Sequence, residues 1–294
     1  MNNASFLQVL KAIIQLGKPH ITLAVSLSAL TGFILHAGSF SAGWLSLVAG
    51  IFFLSFSSAA INQIQERRLD AMMPRTKSRP LPSGTITMYL ACFIAAACGL
   101  TGAYLLFVSG GLPAMLLGLL NLVLYNLVYT KLKRVSIFAV VPGSLVGAVP
   151  PIIGWIAAGG DISHAHIILV ATFFFIGQIP HTWLILLRYD DEYQQAGFPS
   201  LNRIFTSRQI NALTFVWAVA TALSATILSA AGVFYHTIPA VVNMLIAVGL
   251  VVKFGFWLRR KHTGSIRTAF FTLNLFYLVV MLLLVGDSLF GVNG

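Results

Sequence analysis

From residue 20 onward the chain is a succession of apolar runs separated by polar or turn-forming connections, at 20–37, 43–62, 86–109, 112–131, 137–158, 164–187, 209–233, 236–258 and 267–290. A helix of about twenty apolar residues crosses about 30 Å of hydrocarbon, and in lipid each backbone polar group has to be satisfied within the protein. The runs therefore predict an all-α membrane protein, a bundle of about nine transmembrane helices. Of the 294 residues 58% are apolar and 9% charged, against about 25% charged in soluble domains. No stretch remains for a soluble domain, so residues 1–294 read as one membrane domain.

The formal charge of +11 does not point to nucleic acid, because the bases sit between apolar runs and form no stripe with interleaved aromatics. Lys11 and Lys18 precede the first run, and Arg67 to Arg79 follow the second. Lys131, Lys133 and Arg134 follow the fourth, Arg188, Arg203 and Arg208 the sixth, and Arg259 to Arg267 the eighth. The intervening connections carry no Lys or Arg, which by the positive-inside rule puts the N-terminus in the cytoplasm and the C-terminus outside. Lysines before an apolar run also mark signal peptides, but no small-residue cleavage site follows, so 20–37 reads as the first helix. Cys92 and Cys98, six apart in one run, fit neither a metal motif nor a disulfide framework and read as helix packing.

Two connections mix acids with bases, 63–85 and 188–208, four runs apart. In the first, Asn62, Glu66 and Asp70 are spaced i, i+4, i+8 and share one helix face. Oxygen side chains so placed hold Mg²⁺ partly, leaving positions for phosphate oxygens. Arg75, Lys77 and Arg79 follow and are candidates for the remaining diphosphate charge; the alternative is an ordinary solvated, positive loop. In the second, helical phase carried through from the sixth run puts Gln178, His181, Arg188 and Glu192 on one face. Glu192 is then the metal-side acid, Asp191 a weaker one, Asp190 turned away, and His181 about 16 Å deeper by helical rise. Lys131 and Arg188 join the diphosphate-binding candidates. A Gln and a His inside a span are functional candidates by default, though a neighbouring helix can also satisfy the His. Asn121, Tyr125 and Tyr129 form a further polar stripe, lining the same cavity or bonding between helices.

Together these residues resemble the UbiA family of intramembrane prenyltransferases, and within it the branch that farnesylates protohaem IX to haem O. The resemblance runs from about residue 14 to the last span. It rests on Gly17-Lys18-Pro19, the Asn62 to Pro82 segment, Tyr129-Thr130 leading to Lys133-Arg134, Pro150-Pro151 with Gly154-Trp155, Gln178-x-Pro180-His181, and Glu192-Tyr193-x-x-Ala196-Gly197-x-Pro199. It implies a helical bundle whose central cavity opens toward the cytoplasm. Farnesyl diphosphate and Mg²⁺ would sit at the mouth, on Asn62, Glu66, Asp70 and Glu192. Protohaem IX would be the acceptor, near Gln178, His181, Tyr125 and Tyr129. It further implies the inner membrane as location and haem-handling or terminal-oxidase assembly proteins as partners. The chain departs from the family pattern at Arg68, where an acid is usual, at His20 for Arg, at Gly177 for Trp, and after Pro199, where Ser-Leu-Asn replaces Met-Leu-Pro. Competing readings are a prenyltransferase for an aromatic acid or quinone precursor and, in another class, a transporter or scaffold. Acids at span ends and scarce at midplane argue against transport.

Overall fold

The computed structural model describes residues 5–259 and 264–291, and within these every regular element is a helix. A short amphipathic helix α1 (Phe6–Leu16) leads into α2 (Pro19–Ala37), and α3 (Trp44–Met72) runs on past its apolar part. Then come α4 (Met88–Val123), a π-helical stretch Leu124–Tyr129 and the single turn α5 (Thr130–Leu132). After these follow α6 (Val140–Ala157), α7 (Ala165–Arg188), the short α8 (Asp190–Gln195), α9 (Ser207–Ala230), α10 (Thr237–Arg259) and α11 (Gly264–Gly291).

Eight continuous stretches are apolar and long enough to span a bilayer. One of them, Met88–Leu132, holds 45 residues, about 67 Å at helical rise, which is more than twice the hydrocarbon thickness. It is broken at Gly110 and Gly111, whose dihedrals (−143°, 19° and 67°, −161°) are not helical. Beyond the break Gly118 returns against Leu106, a contact that a straight helix cannot make. The two halves form a hairpin, so the described residues give nine crossings, as the apolar runs predict. Large side chains such as Leu23, Phe93, Leu100, Leu245 and Leu275 are exposed around the bundle, where lipid takes the place of a protein core. The connection after the eighth run includes residues 260–263, which lie outside the described residues.

Two features absent from the sequence reading shape the end of the bundle that carries the acids. Helix α1 is capped by a reciprocal box between Ser5 and Gln8, and its C-terminal carbonyls accept from Gln63 Nε2 (2.9 Å to Leu16 O, 3.2 Å to Gln15 O). The chain then turns through Lys18, the one described non-glycine residue with a left-handed backbone (φ 50°), before Pro19 starts α2. Left-handed lysine is strained, and the pinned end of α1 holds it there.

Deeper in the bundle α2 and α6 cross at backbone contact. A Cβ on Gly32 would strike the Pro151 backbone, and one on Gly154 the Ala29 carbonyl, which explains the small residues in the Pro150–Trp155 segment. We expect Gly154→Val to lower the melting temperature by the equivalent of about 1–3 kcal/mol, the usual cost of overpacking. Gly249→Val, on an exposed face with open space around it, should leave melting unchanged; equal behaviour of the two variants would contradict the crossing. Gly177 is similarly filled, since the Tyr277 hydroxyl stands where its Cβ would go.

Candidate active site

Helix α3 keeps one phase from its apolar part through Asp70, so Asn62, Glu66 and Asp70 line one face and are all buried. Each is held by a group from a different element. Asn62 Nδ2 donates to Glu66 Oε2 (3.0 Å) and to Thr130 Oγ1 (3.2 Å), and its Oδ1 accepts from Lys18 Nζ (3.2 Å). Lys133 Nζ lies 2.8 Å from Glu66 Oε2, and Arg79 Nη1 is 2.7 Å from both oxygens of Asp70. The other oxygen of Glu66, Oε1, is buried without a hydrogen-bond partner.

Charge is therefore nearly balanced in a tight cluster. Burial pushes the Lys18 amine down to about 7, with Arg79 and Lys133 adding repulsion against the pull of Glu66 and Asp70. Burial would lower Lys133 as well, but Glu66 outweighs it and holds that amine above its ordinary value. These cations gather where acids concentrate, and additional negative charge would stabilise all of them.

The cluster forms the floor and wall of a cavity of about 270 Å³, to which Tyr125, Tyr129, Gln178, His181, Tyr193 and Phe198 also contribute. Lys18, Ile21, Tyr125, Val146 and Gln178 are shared with a second cavity of about 160 Å³, mostly apolar, bounded by Ile51, Leu54, Gly118 and Ile153. The charged mouth and the apolar cavity are thus neighbours, with Tyr125 and Gln178 in the lining of both. The π-helical stretch Leu124–Tyr129 sets the angle at which the two tyrosines enter; such segments recur at functional sites. The His181 ring packs 4.9 Å from that of Phe270.

Several sequence expectations need correcting. Helix α7 ends at Arg188, and Tyr189 (φ −121°, ψ 25°) breaks the phase before α8. The Gln178, His181, Arg188, Glu192 face therefore does not exist as one stripe, and the depth of about 16 Å that helical rise gave for His181 does not apply. Gln178 and His181 reach the mouth, whereas Arg188 stacks on Tyr189 at 5.1 Å and lines neither cavity. Glu192, the expected metal-side acid, does not line the mouth; its Oε2 accepts from the Arg75 backbone N–H at 3.0 Å and ties the two acidic connections together. Arg75 lines the mouth, but Lys77, Lys131 and Asp191 are exposed and lie outside it. Asp190, expected to point away, is buried with its oxygens bonded to Ser200 Oγ (2.7 Å), Gln194 Nε2 (2.6 Å) and Asn202 Nδ2 (2.7 Å). Arg68 does not replace an acid at the site, because it lies on the far side of α3 and is exposed.

Lys18, Lys133, Tyr193 and Phe198 carried no assigned role. Their sequence signal is a lysine or aromatic at a span boundary, which topology alone also produces.

The UbiA prenyltransferase family model matches residues 25–280. A relative from Oleidesulfovibrio alaskensis named protoheme IX farnesyltransferase is 33% identical over 281 residues, covering 96% of this chain and 98% of its own length. Among solved structures, the apo form of a UbiA homologue from Aeropyrum pernix K1 superposes with a TM-score of 0.72 at 19% identity, covering 92% of this chain and 97% of its own. A UbiA homologue from Archaeoglobus fulgidus bound to GPP and Mg²⁺ gives 0.65 at 13% identity, covering 93% and 99%. By sequence over nearly its whole length and by fold, the chain belongs to the UbiA prenyltransferase family.

Proposed function

We propose that the protein transfers a farnesyl group from farnesyl diphosphate to protohaem IX, giving haem O, with the diphosphate held at the charged mouth. The observation that carries this reading is the adjacency of the two cavities, which share Lys18, Tyr125 and Gln178 in their linings: a polyanionic head would meet Lys18, Arg79 and Lys133, and its hydrocarbon tail would lie past Tyr125 and Gln178 in the apolar space. A relative 33% identical, named protoheme IX farnesyltransferase, supports haem as the acceptor.

The donor set suits Mg²⁺. Asn62, Glu66 and Asp70 offer hard oxygens on one face, and buried Glu66 Oε1 has no hydrogen-bond partner. Asn62, Glu66 and Asp70 would hold Mg²⁺, which would supply positive charge to the departing diphosphate. The protein's own part is to present Lys133 and Arg79, which neutralise Glu66 and Asp70, as fixed cations at the diphosphate position. The allylic carbon–oxygen bond then breaks heterolytically, with the electron pair leaving on diphosphate, and the fixed cations stabilise that charge. The haem vinyl group attacks the allylic carbon, water captures the resulting cation beside the porphyrin, and the proton that water loses goes to the departed diphosphate or to solvent. Tyr125, Tyr129, Tyr193 and Phe198 wall the mouth and keep water from the first cation. No side chain is needed as a nucleophile. His181, also in the wall of the mouth, is placed to face the acceptor, and neutral imidazole is a common haem-iron ligand.

The deciding measurement is haem extraction and mass spectrometry on membranes with and without the protein. Purified protein should also take up haem with a Soret shift that His181→Ala weakens while leaving farnesyl-diphosphate binding largely unchanged. Wild-type protein that binds no haem yet prenylates a phenolic acid would favour the quinone-precursor reading.

The one-sided Lys and Arg distribution supports an inner-membrane location with the mouth facing the cytoplasm. A reporter in 63–85 should be active only in the cytoplasm and one at the C-terminus only outside; the reverse pattern would put the mouth on the wrong side for a cytoplasmic prenyl diphosphate.

A further inference from the structure

A second depression, of about 590 Å³, opens at the acidic end of the bundle behind α3, bounded by Gln65, Arg67, Arg68, Arg134 and Phe198. It is separate from the mouth, and Phe198 forms part of the wall of each. Its three arginines come from two elements, Arg67 and Arg68 from α3 and Arg134 from the turn after α5.

Among the described residues none of the three has a carboxylate within ion-pair distance, although Arg79 and Lys133, which serve the mouth, each have one. Arg134 Nη2 donates to Gln65 O (3.0 Å) and Arg67 Nη1 to Ile64 O (3.2 Å). These bonds fix two of the forks in place. Arg134 Nε, by contrast, is buried with no partner. A positive-inside signal requires bases somewhere in a connection, not three guanidiniums converging on one concavity, where they repel one another. The repulsion is offset if an anion sits among them, and planar guanidinium forks match phosphoryl oxygens in particular.

We propose that this depression is a phosphoryl-anion site distinct from the transfer site, with Arg67, Arg68 and Arg134 as its ligands. Two sources present that group at a membrane face: the phosphodiester of an anionic lipid headgroup, as basic pockets beside transmembrane helices take, and free inorganic diphosphate.

The test uses the full chain purified in detergent, titrated separately with inorganic diphosphate and with phosphatidylglycerol, and with phosphatidylcholine as the zwitterionic control. Binding is read by native mass spectrometry and calorimetry. Arg67→Gln/Arg68→Gln should weaken binding of at least one of the two anions about tenfold or more, and Arg68→Lys should retain most of it. Both side chains are exposed on α3, so the double variant should melt like the wild type; should it not, Arg68→Gln alone carries the comparison. Loss confined to phosphatidylglycerol identifies a headgroup site, and loss confined to diphosphate a free-anion site; the mouth's own diphosphate binding persists in the variant. Lys77→Gln removes a like charge from the same connection outside the depression and should change nothing. Wild-type affinity for both anions in the double variant, or an equal loss in Lys77→Gln, would overturn the proposal.

Discussion

Glu66→Gln should reduce farnesyl transfer by at least about a hundredfold, comparable to deleting one fixed electrostatic contact in a catalytic site. The substitution hardly changes volume, but it removes the charge from a buried carboxylate that carries both the Lys133 ion pair and an unpartnered oxygen. It also leaves Lys133 without its counter-charge, which destabilises the folded protein by about 3 kcal/mol at most, since that amine keeps some contact with water. The two effects separate in a double variant. Glu66→Gln with Lys133→Met should regain part of the lost melting temperature, because no uncompensated charge remains, yet stay inactive. Asp70→Asn should behave like Glu66→Gln, with Arg79 as the stranded cation. A folded Glu66→Gln protein with near wild-type transfer would remove the α3 face from the mechanism.

What could be read from the sequence divides along helical phase. The nine crossings and the Asn62, Glu66, Asp70 face were legible because each depends only on a helix continuing through apolar or evenly spaced residues, and α3 does continue to Met72. The same rule applied beyond α7 failed, because the chain stops being helical at Tyr189 and every angle counted across it is lost. The departure from the family pattern at Arg68 does not reach the acidic face, since two residues past Glu66 is about 200° around the helix. Helix α1 was legible but unread, as Ser5 and Gln8 form a capping box ahead of an amphipathic repeat. The left-handed turn at Lys18 and the π-helical stretch have no counterpart in residue spacing. Long-range contacts accompany both, Gln63 with the end of α1 and Asn62 with Thr130, and Thr130 Oγ1 also bonds the Tyr125 carbonyl within the π-helical stretch.

The second large effect is expected at Asp190. Its two oxygens accept three side-chain hydrogen bonds, from Ser200, Gln194 and Asn202, while the exposed Asp191 side chain makes no hydrogen bond or ion pair among the described residues. In Asp190→Asn the amide oxygen can keep the Gln194 and Asn202 donors, but the N–H₂ group then faces the Ser200 hydroxyl, which already accepts from Gln194 Nε2 and Asn202 N, so a buried donor is stranded at about 1–3 kcal/mol. The segment so held carries Glu192, which bridges to Arg75, and Tyr193 and Phe198, which wall the mouth. Asp190→Asn should therefore loosen 188–206, speeding limited proteolysis there, and lower transfer about tenfold or more. Ser200→Ala, which removes one of the three donors, should act in the same direction more weakly. Asp191→Asn should be silent in both assays. Were Asp191 the sensitive position and Asp190 tolerant, the break at Tyr189 would be wrong and the continuous helical face from Gln178 to Glu192 would have to be restored.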